Sequence, residues 1–177
     1  MKTLYLRQIN SFNCCFMHNH EISTKFTVFE SLDELSENDK ELLQKAIDVR
    51  DHAYAPYSDF KVGASVLLDT GEIFLGNNQE NAAYPSGICA ERVAIWSAMA
   101  SVPGGKINKI FISARSGKTV VDKPVAPCGA CRQAIAEYET QQLSSIEIFF
   151  TGETGKIVKA SSIKDLLPFM FDNSMLT

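Results

Sequence analysis

The fold and the chemistry of this chain are decided by two short stretches, Cys89-Ala90-Glu91-Arg92 and Pro127-Cys128-Gly129-Ala130-Cys131-Arg132-Gln133. Cysteine thiolates are good ligands of zinc, and three of them leave the fourth corner of a tetrahedral ion open for water. A carboxylate two residues after the first cysteine is well placed to move the protons of that water. The stretches therefore predict a hydrolytic zinc site with three thiolate ligands and one proton carrier, namely Cys89, Cys128, Cys131 and Glu91.

Both stretches are expected to lie at the start of a helix. Pro127 suits the first turn of a helix, where its missing N–H costs nothing. Free N–H groups and the positive end of the helix dipole stabilise thiolates at that place. We expect Cys89 to begin its own helix in the same way, so that two helix N-termini meet at one ion. Arg92 is predicted to donate a hydrogen bond to a thiolate and to offset the excess negative charge of three thiolates on Zn²⁺.

Length and composition predict one soluble domain that acts on a small substrate. The chain has 177 residues, of which 45% are hydrophobic and 21% are charged, and its net charge is -4. A protein that binds long nucleic acids usually shows a basic stripe, and none stands out here. No stretch approaches the roughly 20 apolar residues that cross a bilayer. Three of the five cysteines have metal-type spacing, which favours a reducing cytoplasm.

Residues 1–30 have no clear period, and we expect a flexible N-terminal extension before a single catalytic domain at residues 31–177. The extension contains Cys14-Cys15 and two nearby histidines, so an accessory metal or redox site is the alternative interpretation. Organised sequence begins only after Met17, which suggests the hypothesis that Met17 is the native start. Mass spectrometry of the natively expressed protein tests this, because an intact Met1 end would contradict it.

The rest of the chain predicts an α/β fold. The order of elements is helix, hairpin, helix, strand, helix, strand and short helix, which implies a mixed sheet with right-handed crossovers and helices on its faces. The first helix is expected to be capped by Ser36 and to end before Pro56. The later elements are predicted, in order, at 60–68 with 72–76, 89–100, 107–114, 128–138, 146–151 and 161–167.

Cys-Ala-Glu followed by Pro-Cys-Gly-Ala-Cys-Arg-Gln resembles the cytidine deaminases of the small three-cysteine type. The resemblance extends from about Ala53 to Pro168 and leaves residues 1–30 outside it. It implies a three-layer α/β/α fold with a mixed five-stranded sheet and one Zn²⁺ per subunit. It also implies a homotetramer whose sites are completed across subunits, and the hydrolysis of cytidine and deoxycytidine to uridine and deoxyuridine in pyrimidine salvage.

The same resemblance implies which residues contact the nucleoside within one subunit. Phe60 looks like the aromatic residue that packs against the pyrimidine, although a core residue at the start of a strand is the plainer interpretation. Asn78 and Glu80 resemble the pair that holds the ribose hydroxyls, for which an amide and a carboxylate are chemically suited. The alternative for this pair is a polar loop with local turns. Backbone N–H groups near Ala90 would receive the base carbonyl.

Other residues resemble those that act between subunits or around the metal. Tyr84 looks like a residue that reaches the site of a neighbouring subunit. Phe171 looks like the C-terminal aromatic residue that stacks over the substrate of another subunit, with Phe169 as the alternative. Gln133 is predicted to orient groups around the metal.

Three other functions remain open. A blasticidin-type aminonucleoside deaminase shares the zinc motifs, but Phe60-x-Val62-Gly63 and Asn78-x-Glu80-Asn81 favour cytidine. An enzyme that edits polynucleotides needs a basic channel, and the acidic balance weighs against one. A non-catalytic module with structural zinc needs a fourth protein ligand. Only Cys14, Cys15, a histidine or a carboxylate could supply that ligand.

Overall fold

A computed structural model of the chain describes residues 19–176. Its centre is a six-stranded mixed sheet, in which one pair of neighbouring strands is parallel and the others are antiparallel. The strands are β1 (Phe26–Phe29), β2 (Phe60–Leu68), β3 (Ile73–Asn77), β4 (Ile107–Ser116), β5 (Glu147–Thr151) and β6 (Ile157–Ala160), and their order across the sheet is β1-β6-β5-β4-β2-β3. The α-helices are α1 (Glu37–Arg50), α2 (Ala90–Ser101) and α3 (Gly129–Gln142).

The helices cover both faces of the sheet, which makes the three layers that the resemblance implies. Strand β4 runs through the centre, and its side chains alternate between two buried clusters. Ile110 and Ile112 pack with residues of α2 and α3, whereas Phe111 packs with residues of α1. The central strand is therefore buried on both faces, as predicted from its apolar residues around Phe111.

The prediction of five strands is wrong by one. Strand β1 pairs antiparallel with β6 and adds a sixth strand at the edge of the sheet. Its residues, Phe26–Phe29, fall within the segment that the sequence interpretation set apart as an extension. The side chain that ties β1 to the core is Phe29, whose ring lies 6.3 Å from that of Phe149. The hypotheses on Met17 and on Cys14-Cys15 concern residues outside the described part of the chain.

The start of α1 confirms the predicted cap. The Oγ atom of Ser36 accepts a hydrogen bond from the backbone N–H of Asp39 at 3.2 Å, which satisfies a donor that the helix itself leaves without a partner. Lys109 of β4 lies 2.7 Å from the carboxylate of the same Asp39. The cap therefore also ties the helix to the sheet. Within residues 19–176, every helix is too short or too polar to span a bilayer.

Gly63 allows α1 and β2 to approach each other closely. A Cβ atom added at this position would lie 2.0 Å from the carbonyl oxygen of Ala46 and 2.6 Å from the backbone nitrogen of Arg50. Both atoms belong to a helix backbone and cannot move aside as a flexible side chain would. We expect Gly63→Ala to lower the free energy of unfolding by about 1–3 kcal/mol or more.

Urea unfolding followed by circular dichroism measures this effect. Gly129→Ala is the matched control, because a Cβ atom there meets no atom within 4 Å. Equal stability of the two variants would show that the close approach of α1 and β2 does not require glycine at residue 63.

Candidate active site

Two helix N-termini meet at one place, and each carries a cysteine at its cap. Cys89 is the residue before α2, and Cys128 is the residue before α3. Cys131 lies in the first turn of α3 and is fully buried. The sequence prediction that the thiols occupy helix starts is confirmed for both helices, although each helix begins one residue later than predicted.

The three sulfur atoms are spaced as ligands of a single zinc ion would be. All three lie within 4.8 Å of one another, and the Sγ atoms of Cys89 and Cys128 are 3.8 Å apart. Tetrahedral zinc with Zn–S bonds of about 2.3 Å requires a sulfur–sulfur distance of about 3.8 Å. None of the three cysteines forms a disulfide. Within residues 19–176, no fourth histidine, cysteine or carboxylate joins the cluster.

The surroundings of Cys89 favour its thiolate form. A hydrogen bond with Cys131 makes the largest contribution to lowering the pKa of Cys89; burial opposes it, and hydrogen bonds from Arg92 and Cys128 add to it. Thiolate is the form that binds metal ions. The protein environment therefore prepares at least one ligand for zinc.

Glu91 lies beside this cluster in the first turn of α2. Only 4% of its surface is exposed, and this burial raises the pKa of its carboxyl group above the ordinary value. A buried carboxyl group of raised pKa is suited to both accepting and donating protons near neutral pH. The burial and the raised pKa agree with the predicted role of Glu91 as proton carrier, which stays a prediction.

A cavity of about 480 Å³ opens beside Cys89. This volume lies in the range of sites for small organic molecules, which is about 300–1,000 Å³. Its wall combines an amide, a carboxylate, a guanidinium group and two aromatic rings, from Asn78, Glu80, Arg92, Tyr57 and Tyr84. The two tyrosine rings contact each other edge to face, with their centroids 6.0 Å apart. Such a wall offers polar contacts for hydroxyl groups and apolar contacts for a flat ring.

Comparison with known proteins identifies the family. A family model described as the cytidine and deoxycytidylate deaminase zinc-binding region matches residues 36–146. The chain belongs to this deaminase family. Because the matched region is a zinc-binding one and three thiols lie at zinc spacing, the cofactor of this deaminase is Zn²⁺.

Individual relatives agree with this assignment. The chain is 35% identical over 143 residues to a cytidine deaminase of Sporosarcina psychrophila, a match that covers 78% of this chain and 94% of that protein. The crystal structure of a cytidine deaminase from Burkholderia pseudomallei superposes with a TM-score of 0.65 at 37% identity, covering 77% of this chain and 100% of that one. A blasticidin-S deaminase of Bacillus cereus is 30% identical over 141 residues, covering 77% of this chain and 94% of that protein.

Arg92 of the deaminase makes the predicted contact with a thiol. Its Nη2 atom donates to the Sγ atom of Cys89 at 3.5 Å. Hydrogen bonding to Cys89 also makes the largest contribution to the raised pKa of Arg92. The guanidinium group therefore carries its positive charge beside the thiol. The effect of this charge on zinc stays a prediction, which is tested together with Trp96 below.

The two residues predicted to hold the ribose, Asn78 and Glu80, also form hydrogen bonds with the backbone around the cavity. The amide of Asn78 accepts a hydrogen bond from the backbone of Val62 at 2.7 Å and donates one to the carbonyl of Phe60 at 2.9 Å. The Oε2 atom of Glu80 accepts from the backbone N–H of Tyr57 at 2.8 Å. Hydrogen bonding by Ser58, with that from Tyr57, lowers the pKa of Glu80. The carboxyl group of Glu80 is therefore ionised at neutral pH.

The structure brings some predicted site residues together and leaves others apart. Tyr84 lines the cavity and is largely exposed, whereas Phe60 and Phe171 are not among the residues that line it. Gln133 does not approach the cluster through its amide, which donates instead to the carbonyl oxygen of Phe171 at 2.7 Å. Its predicted role around the metal stays a prediction. Ala90 begins α2, so its N–H is among those that the helix leaves without a partner.

Two residues at the site were not predicted to belong to it. Tyr57 lines the cavity, and Trp96 places its ring beside the guanidinium group of Arg92. Trp96 follows Arg92 by four residues on α2, a spacing that brings side chains together on a helix surface. That spacing is readable from the sequence, and it would have indicated the contact.

Proposed function

We propose that the deaminase hydrolyses cytidine and deoxycytidine to uridine and deoxyuridine, with release of ammonia. The observation that carries the proposal is the set of three thiols at zinc spacing beside a buried carboxyl group and a cavity of nucleoside size. The relatives named cytidine deaminase support the choice of substrate.

The reaction divides between the metal and one side chain. A zinc ion held by Cys89, Cys128 and Cys131 would activate a water molecule as the nucleophile. Glu91 takes up a proton at its carboxylate and passes it to the ring nitrogen next to the carbon that bears the amine. Once the water oxygen has bonded to that carbon, Glu91 takes the remaining proton of the new hydroxyl group and delivers it to the amine, so that the C–N bond breaks and ammonia leaves. Burial of Glu91 excludes bulk water from this exchange of protons.

Asn78 and Glu80 are proposed to hold the ribose. Both amide atoms of Asn78 are already used once, but an amide has two donor hydrogens and two acceptor lone pairs. Each atom therefore has capacity for one further bond to a hydroxyl group. Glu80 is ionised and can accept from a hydroxyl group beside the bonds that it makes to the loop.

Glu80→Gln is expected to raise KM for cytidine about tenfold or more, because the substrate loses a charge-assisted hydrogen bond. The value of kcat should change much less, since Glu80 lies away from the reacting carbon. Steady-state kinetics with cytidine measures both constants. Gln44→Glu on α1 is an exposed control, and an unchanged KM in Glu80→Gln would exclude the carboxylate from substrate binding.

A direct assay tests the proposed function. Conversion of cytidine to uridine changes the ultraviolet absorbance, and we expect the change with the zinc-loaded protein but not after chelation. Parallel reactions with blasticidin S and with a single-stranded oligonucleotide test the alternative substrates. The likeness to a blasticidin-S deaminase makes the first of these the more informative comparison. Turnover of blasticidin S without turnover of cytidine would overturn the proposal.

We also propose that the deaminase is a homotetramer with sites completed across subunits. Large aromatic side chains are exposed near the cavity and in the C-terminal segment, as expected of surfaces that another copy covers, and they include Tyr84 (75% exposed), Phe169 (80%) and Phe171 (59%). Light scattering should give four times the mass of the chain, and dilution to monomers should abolish activity. A fully active monomer would contradict this proposal. A cytoplasmic location and a role in pyrimidine salvage stay predictions.

A further inference from the structure

Trp96 is a partly exposed aromatic residue that contacts Arg92 and is not a member of the cysteine cluster. Its surface is 45% exposed, although it lies on a helix whose opposite side is fully buried. The central carbon of the Arg92 guanidinium group lies 5.8 Å from the centroid of its ring. A distance within about 6 Å gives a cation–π attraction, and tryptophan is the best aromatic partner for it.

Arg92 has few other contacts that fix its guanidinium group. Its Nη2 atom donates to the sulfur of Cys89, but its Nε atom is buried and has no hydrogen-bond partner among the described residues. In residues 19–176, no carboxylate forms a salt bridge with Arg92. The guanidinium group also hydrogen-bonds to Cys131, so both hydrogen-bond partners that the described residues provide are sulfur atoms of the cluster. An arginine side chain has many rotamers, and the indole ring adds a contact of a different kind that restricts them.

We propose that Trp96 is a positioning residue of the zinc centre. Its indole face holds the guanidinium group of Arg92 against the sulfur of Cys89, and the sulfur is thereby kept at its place in the zinc cluster. Partners of metal ligands orient those ligands and strengthen metal binding in this way. The inference rests on the proposed function in one respect, since Cys89 must be a ligand of zinc.

A double-mutant cycle on zinc release tests the proposal. The variants are Trp96→Leu, Arg92→Gln and the two together, and the loaded proteins are mixed with an excess of a chromogenic chelator. Trp96→Leu is expected to release zinc about two to five times faster, which corresponds to a cation–π attraction of about 0.5–1 kcal/mol. Arg92→Gln should release zinc faster as well. Trp96→Leu should add no further acceleration when Arg92 is already replaced.

Trp96→Phe is the matched control, because a phenylalanine ring keeps the attraction in weaker form. It should release zinc at a rate between those of the unsubstituted protein and Trp96→Leu. Since the side chain is exposed, urea unfolding should show similar stability for all variants of residue 96. A free energy of unfolding in urea that is much lower for Trp96→Leu than for Trp96→Phe would assign the effect to general packing and overturn the proposal.

Other outcomes would also overturn it. Equal release rates for Trp96→Leu and the unsubstituted protein would show that the indole does not act on the metal. Equal acceleration by Trp96→Leu with and without Arg92 would show that it acts by another route. Failure of the proposed function is recognised separately, because the unsubstituted protein would then not convert cytidine to uridine, whatever its rate of zinc release.

Discussion

Glu91→Ala is expected to lower kcat for cytidine by about 10²–10⁴-fold while the protein keeps its zinc. The reason is that we propose Glu91 as the carboxyl group that moves protons from water to the ring nitrogen and to the amine. It is not a member of the sulfur cluster, so its removal leaves the three ligands in place. Steady-state kinetics and metal analysis of the same preparation measure the two quantities.

Glu91→Gln is the control for packing in this experiment. It keeps the volume and polarity of a side chain that is only 4% exposed, so a cavity cannot explain its loss of activity. It should be impaired to a similar degree, because an amide does not carry protons between water and substrate. Normal turnover in either variant would remove Glu91 from the mechanism.

Cys131→Ala is expected to lose its zinc during dialysis and, with the zinc, its activity on cytidine. Cys131 is the fully buried member of the cluster, and its loss leaves only two thiolates. Two sulfur ligands fall short of the three protein ligands by which catalytic zinc sites hold the ion. Metal analysis after dialysis and the cytidine assay give the two results.

The control for thiol loss in general is Cys15→Ala, which removes a cysteine that the resemblance leaves outside the site. It should keep both zinc and activity. Stoichiometric zinc in Cys131→Ala would show that the cluster is not the metal site. Chelation of the unsubstituted protein should reproduce the loss of activity, and added zinc should restore it.

Features encoded by neighbouring residues were predictable from the sequence. The cap at Ser36, the starts of α2 and α3 at the cysteines, and the contact of Arg92 with Cys89 all depend on spacings of three or four residues. Local spacing determines which side chains share one turn of a helix. The metal cluster was predictable for the same reason. Cys89 lies at the start of α2, and Cys128 and Cys131 lie at the start of α3.

Features that depend on distant segments were not predictable in the same way. Strands β1 and β6 have four residues each, too few for a clear alternation, and they are identified mainly by their pairing with each other. The bond from Gln133 to the carbonyl of Phe171 joins residues far apart in the chain. The short helix expected at 161–167 is reduced to a 3-10 turn at Ile163–Asp165, which Ser162 caps. Tertiary packing decided these points, and the sequence pattern carried little information on them.

The central claim is that three sulfurs of this chain hold one zinc ion and leave its fourth position to the reaction. A crystal structure of the zinc-loaded protein, with the ion located by its anomalous scattering, tests this most directly. We predict one ion per chain, bound by Cys89, Cys128 and Cys131 at about 2.3 Å, with no side chain in the fourth position. A fourth protein ligand at the ion, or no ion between the three sulfurs, would contradict the account.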